Sequence, residues 1–198
     1  DGAGTLNVLS TTKIGARSSK NVRVTVFPER DDDVKLGLVC ASQHGAGMFC
    51  WAFKVNVDQK TLTVGTKMGV QPDGYSHSTS YSDVVGMSAT TALVCTSDGD
   101  ASWKKKCSVL ELDEATLRLT SYFDDASSIV FSDTTSFDTK TYITRLTSRH
   151  AIMCYSNQNT MNGNCHRIVL GVSAANKVTA GPMFMFAPGY TVGQSSQR

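Results

Sequence analysis

Apolar and polar residues alternate along this chain in short bursts, never in long ones. Val22-Arg23-Val24-Thr25-Val26-Phe27, Trp51-Ala52-Phe53-Lys54-Val55-Asn56-Val57, Ser108-Val109-Leu110-Glu111-Leu112 and His166-Arg167-Ile168-Val169-Leu170 all follow this pattern. Successive side chains on a strand point to opposite faces, so such alternation predicts half-buried β-strands. Between the bursts stand Gly, Asn, Asp and Ser, the residues of tight turns. One run, Asp113 to Leu119, approaches a helical period, but it aligns with two other segments that read as strands.

The bursts recur in a fixed order, and the six cysteines mark the period. Cys40 and Cys50, Cys95 and Cys107, and Cys154 and Cys165 form pairs separated by 10, 12 and 11 residues. Self-similarity at roughly 55–60 residues is the signature of a repeat architecture. Leu36-Gly37-Leu38-Val39-Cys40 aligns with Thr91-Ala92-Leu93-Val94-Cys95 and with His150-Ala151-Ile152-Met153-Cys154. Ahead of these segments lie Val22–Phe27, Asp83–Met87 and Tyr142–Leu146. Behind the second cysteines, a turn leads to Thr61–Val64, Thr116–Leu119 and Lys177–Ala180. Each repeat therefore predicts four strands. The division is 1–21 (a spare fourth strand at Gly4–Leu9, and a linker), 22–74, 75–128 and 129–188 for the repeats, and 189–198 for a tail.

Zinc sites gather thiolates roughly two to four residues apart. The wider spacing here, with no C-x-x-C, instead predicts a disulfide within each repeat, across the hairpin between its second and third strands. An even, regularly paired count also places the chain in an oxidising compartment: extracellular, secretory or an organelle lumen. A start at Asp1, with no Met and no leader pattern, suggests a piece processed from a longer precursor.

A four-stranded unit with an apolar face cannot bury that face alone and must stack on neighbours. The expected fold is all-β, with three four-stranded antiparallel repeats as blades of a partial or oligomer-completed β-propeller. A β-trefoil is the rival. The pattern Ala-Leu-Val-Cys, polar loop, Cys, Val-Leu-x-Leu, running from Thr5 to Phe186, resembles the tandem blades of secreted or surface β-propeller proteins. Thr96-Ser97-Asp98-Gly99-Asp100-Ala101-Ser102-Trp103 is similar to the Asp-box of sialidase-like propellers, with Asp100 where that box has glycine. The resemblance implies architecture and assigns no activity.

Charge changes this picture little. A net charge of +2 gives no bulk electrostatic case for nucleic acid. The runs Lys104-Lys105-Lys106 and Asp31-Asp32-Asp33 read as solvated loops. No stretch approaches the ~20 apolar residues of a membrane helix. The histidines His44, His77, His150 and His166 form no metal motif, although His44 and His166 flank cysteine loops. Neither a nucleophile elbow nor a P-loop is present, and no cofactor or metal is expected. Asp31–Asp33 and Asp124-Asp125 are the basis for a third reading, a propeller-type glycoside hydrolase or lyase.

The candidate ligand residues lie in or beside the disulfide loops: Gln43, His44 and Trp51 in the first repeat, Asp98, Asp100 and Trp103 in the second, and Tyr155, Asn157 and Asn159 in the third. Amide, carboxylate and aromatic groups on loops pinned at both ends suit sugar hydroxyls or a protein surface. The expected function is a non-enzymatic binding or scaffold module for a glycan or protein. The alternative is a structural subunit that self-associates or stacks on neighbouring blades.

Overall fold

A computed structural model describes residues 19–28, 33–43, 47–70, 82–98, 104–123, 128–131, 141–157, 162–171 and 177–187. The segment read as a spare strand at Gly4–Leu9 and the tail at 189–198 lie outside these residues. Among the described residues every element is a strand and there is no helix. The first sheet holds β1 (Ser19–Val26), β2 (Val34–Gln43), β3 (Gly47–Asn56), β4 (Thr61–Val64) and β5 (Met68–Gly69). The second holds β6 (Asp83–Gly86), β7 (Thr91–Asp98), β8 (Lys104–Asp113), β9 (Arg118–Ser121) and β10 (Ile129–Phe131). The third holds β11 (Thr141–Arg145), β12 (His150–Asn157), β13 (Asn162–Leu170) and β14 (Val178–Ala187). All pairings are antiparallel, and none of the three sheets is closed.

The cysteines pair as the hairpin register dictates. Cys40 stands opposite Cys50, Cys95 opposite Cys107 and Cys154 opposite Cys165, and each pair is a disulfide.

The fourth strand departs from the sequence reading. In the first two sheets it is split: β4 and β5 both pair with β3, and β9 and β10 both pair with β8. Only the third sheet has one long fourth strand, β14, and its pairing with β13 has two register shifts. Ile129–Phe131, assigned from sequence to the third repeat, bonds to Lys105–Cys107 of β8 and so belongs to the second sheet. The physical reason is the open edge of β8: β9 pairs only with its far half, Leu110–Asp113.

The strand expected from Thr116 begins instead at Arg118, because Asp113 holds a turn. Its carboxylate accepts the Ala115 N–H at 3.0 Å and the Thr116 hydroxyl at 2.6 Å. Leu117 closes that turn at φ 54°. The first sheet repeats the device: Asn56 Oδ1 accepts the Gln59 N–H at 2.8 Å, and Lys60 closes the turn at φ 52°. A four-residue hairpin loop ending in a left-handed residue matches the strand twist.

Side-chain alternation then stacks the sheets. In β7 and β8, Ala92, Val94, Leu110 and Leu112 join a core with Phe27, Leu36, Leu38, Cys40, Met48, Cys50 and Ala52 of the first sheet. The intervening residues Leu93, Cys95, Cys107 and Val109 join a second core with Ala151, Met153, Tyr155, Ile168 and Leu170 of the third sheet. The middle sheet is therefore buried on both faces. Each Val, Leu, Ile, Phe or Met side chain so enclosed contributes about 1.5–3 kcal/mol. Near the first strands the stack is tied by polar groups, since β6 contacts both β1 and β11. Thr25 Oγ1 accepts the Gly86 N–H at 2.9 Å.

Candidate functional site

The hairpins that carry the disulfides end alike. Gln43, Asp98 and Asn157 are each the last residue of the second strand in their sheet, opposite Gly47, Lys104 and Asn162. Repetition thus brings these three sequence-predicted residues to the same end of three stacked sheets. His44, Asp100, Trp103 and Asn159 lie outside the described residues, as does most of the Asp-box-like segment.

Trp51 and Tyr155 are placed differently from the open loop positions that sequence suggested. Trp51 follows Cys50 within β3 and is only 4% exposed, and Tyr155 is fully buried in the core between the second and third sheets. In this conformation neither offers a ring face to a ligand. What Tyr155 does is anchor a polar pair: its hydroxyl and His166 Nε2 are 3.0 Å apart, with the two rings stacked at 5.8 Å. Phe131 of β10 also packs on His166, at 4.6 Å between ring centroids. His166, which flanks the third cysteine loop in the sequence, is a buried strand residue of β13.

The same band of the interface contains a lysine that sequence reasoning missed. Lys105 is fully buried, and it stands opposite Phe131 in the pairing of β8 with β10. Burial disfavours its charged form and pulls its pKa from 10.5 down to about 7. Lys106 points the other way and holds its ammonium 4.5 Å from the centre of the Phe123 ring. The Lys104–Lys106 run is therefore strand, with two of its members buried, and the solvated-loop reading is corrected. The signal that could have found this was register. Lys105 and Lys106 precede Cys107 as Met48 and Phe49 precede Cys50, so they occupy positions that are apolar in the first repeat.

Tyr155, His166, Lys105 and the buried Asn164 and Thr141 form a polar band inside an otherwise apolar interface. Such a band favours one register between sheets, because each polar group must meet its partner or lose solvation. Among the described residues no cluster of three or more His, Cys, Asp or Glu is arranged to hold a metal ion, and no helix is long and apolar enough to cross a membrane. No protein family, curated protein or solved structure matches the chain.

Proposed function

We propose that the chain is three blades of a β-propeller and works as a non-enzymatic binding and scaffold module in an oxidising compartment, recognising a glycan or a protein through the loops at its disulfide end. The observation that carries this reading is the middle sheet, buried on both faces between two sheets of the same design. Separate open sheets stacked face to face favour blades over a trefoil, whose strands would share one barrel. Each disulfide clamps the hairpin that ends at Gln43, Asp98 or Asn157, so the connecting loop is held at both ends before any ligand arrives. Disulfides in every repeat suit an oxidising milieu.

The test is a glycan array and a pull-down from extracellular fluid with the intact oxidised chain, alongside Asp98→Ala, Trp103→Ala and Asn157→Ala. The expected result is saturable binding without turnover, weakened at least about tenfold by the loop substitutions and unchanged by Gln59→Ala at the opposite end. Absence of binding, or binding indifferent to the loops, defeats the proposal. A second reading, a structural subunit, is favoured by a separate observation: Val22, Val24 and Val26 at one end of the stack and Tyr142 and Phe184 at the other are exposed apolar residues.

A further inference from the structure

The stack uses one docking relation twice. Each sheet has a leading face, which carries its disulfide, and a trailing face. The leading face of the first sheet, with Leu38, Cys40, Cys50 and Ala52, packs on the trailing face of the second. The leading face of the second, with Leu93, Cys95, Cys107 and Val109, packs on the trailing face of the third. Among the described residues, two unlike faces are not packed on another sheet: the trailing face of the first sheet, where Trp51 and Ala41 near the disulfide end are nonetheless buried, and the leading face of the third.

Register makes the comparison residue by residue. Arg23, Asp83 and Tyr142 stand opposite Cys40, Cys95 and Cys154, so Val24, Val84 and Ile143 are equivalent on the trailing face. Val84 is 6% exposed beneath the first sheet, whereas Val24 is 62% exposed. Beside Val24 lie exposed Val22 and Val26 and half-buried Val39, Phe53 and Val55. On the leading face, Ile152 and Cys154 are half-buried where Leu38, Cys40, Leu93 and Cys95 are completely enclosed, and Tyr142 and Phe184 are exposed next to them. Among the described strand residues of that face, Arg167 is charged, and it is exposed at the place of Ala52 and Val109. An arginine suits a facing surface that bears the half-buried Phe53, since a guanidinium is attracted to an aromatic face.

We infer that the leading face of the third sheet docks on the trailing face of the first sheet of a second copy of this chain, and that the relation, made twice, closes a ring of six sheets. The inference rests on the blade reading above. Both trailing faces packed within the chain, those of the second and third sheets, are covered by the leading face of the preceding sheet, and the leading face left open is that of the third. The two open faces differ, so the contact is head-to-tail, which forms a ring if its rotation closes. Six blades fall within the usual range of about four to eight.

The experiment is multi-angle light scattering on the intact oxidised chain, on Val24→Asp, on Tyr142→Asp and on an equimolar mixture of the two variants. The wild-type chain is expected at twice the chain mass. Each variant alone is expected as a monomer with an unchanged circular dichroism spectrum, because both substituted residues are exposed. The mixture is expected to recover a two-chain species, since it retains one unaltered leading face and one unaltered trailing face. A wild-type monomer up to about 100 µM overturns the inference, and so does a continuous ladder of larger assemblies. Retention of the dimer by either variant alone, which would mean a self-paired face, also overturns it. A monomer that keeps its loop-dependent binding defeats this inference alone, whereas a dimer without such binding defeats the functional proposal alone.

Discussion

Asp83 Oδ2 accepts the backbone N–H of Ile143 at 2.9 Å, so a side chain of the second sheet completes the hydrogen bonding of the first strand of the third. Its other carboxylate oxygen receives the Val84 N–H at 3.0 Å and lies 3.4 Å from Arg23 Nε in the first sheet. One carboxylate therefore links the first strands of all three sheets. It sits in the sequence position of Arg23 and Tyr142, so the repeat has used this site for three different side chains.

That position makes stability depend on pH in an unusual direction. Burial raises the Asp83 pKa above its ordinary 3.8, while the N–H groups of Ile143 and Val84 and the charge of Arg23 pull it back only in part. Above 3.8 the folded state holds the proton more tightly than the unfolded chain. Asp83's contribution to stability is thus largest below that value and falls as pH rises through the folded pKa. Asp83→Asn removes this dependence. Denaturant midpoints between about pH 4 and 7 are expected to show the wild-type margin over Asp83→Asn shrinking as pH rises. A margin that grows with pH would mean the ion pair with Arg23 outweighs burial.

Gly65 meets the next unit where no side chain fits. A Cβ added there would run into the carbonyl oxygen of Leu117 and come within 2.8 Å of its Cβ, and Leu117 is itself buried in the core between the first two sheets. Gly65→Ala is expected to cost about 1–3 kcal/mol in urea unfolding. Adding Leu117→Ala should give no rescue, because the obstructing carbonyl remains. Gly181→Ala is the control. Its nearest neighbour, the Arg167 carbonyl oxygen, would lie at 3.5 Å, an ordinary contact, so little change is expected.

The three disulfides should differ in their resistance to reductant. Cys40–Cys50 and Cys95–Cys107 are enclosed between sheets, whereas Cys154–Cys165 lies on the leading face of the third sheet with Cys154 half-buried. In a monomeric Val24→Asp chain, differential alkylation is expected to find Cys154 and Cys165 reduced first. Replacing Cys95 and Cys107 together by alanine should cost about 2–4 kcal/mol, the range for closing a loop of this size. Equal reduction of all three bridges would mean that the stack opens as a whole before any thiol exchange.

Where periodicity was strong, sequence was sufficient. The second and third strands of each unit are long enough for alternation to set their faces, and their hairpin register puts the cysteines opposite one another. The fourth strands were less legible because they are short, with Asp113 and Asn56 spending residues on turns. The assignment of Ile129–Phe131 depended on which edge of β8 stayed open, a relation no local pattern encodes. Trp51 and Tyr155 adjoin the loops, a placement that suggests ligand groups. Their burial follows from strand position, which for a residue next to a cysteine matters more than nearness to the loop. Lys105 was missed for the converse reason: three lysines in a row suggest solvent, and only comparison with Met48 reveals a core position.

Lys105 is the clearest case of a residue retained against local stability. With its pKa near 7 in the fold and 10.5 as the ordinary value, the unfolded chain holds the proton through the interval between them and the folded chain does not. Stability should therefore rise with pH from about 7 to 10, the reverse of the Asp83 effect. Below about pH 7 the ammonium is buried with its charge, and the full penalty applies. Lys105→Met restores the side chain found at the equivalent position in the first repeat. It is expected to raise stability at pH 6 by roughly 1–3 kcal/mol and to flatten the alkaline slope. Urea unfolding from pH 6 to 10 measures both effects, and the described residues include no free cysteine to complicate the alkaline end by thiol exchange. If Lys105→Met instead destabilises the chain at pH 6, the ammonium is holding the polar band around Tyr155 and His166 in register, and the apolar replacement breaks that register.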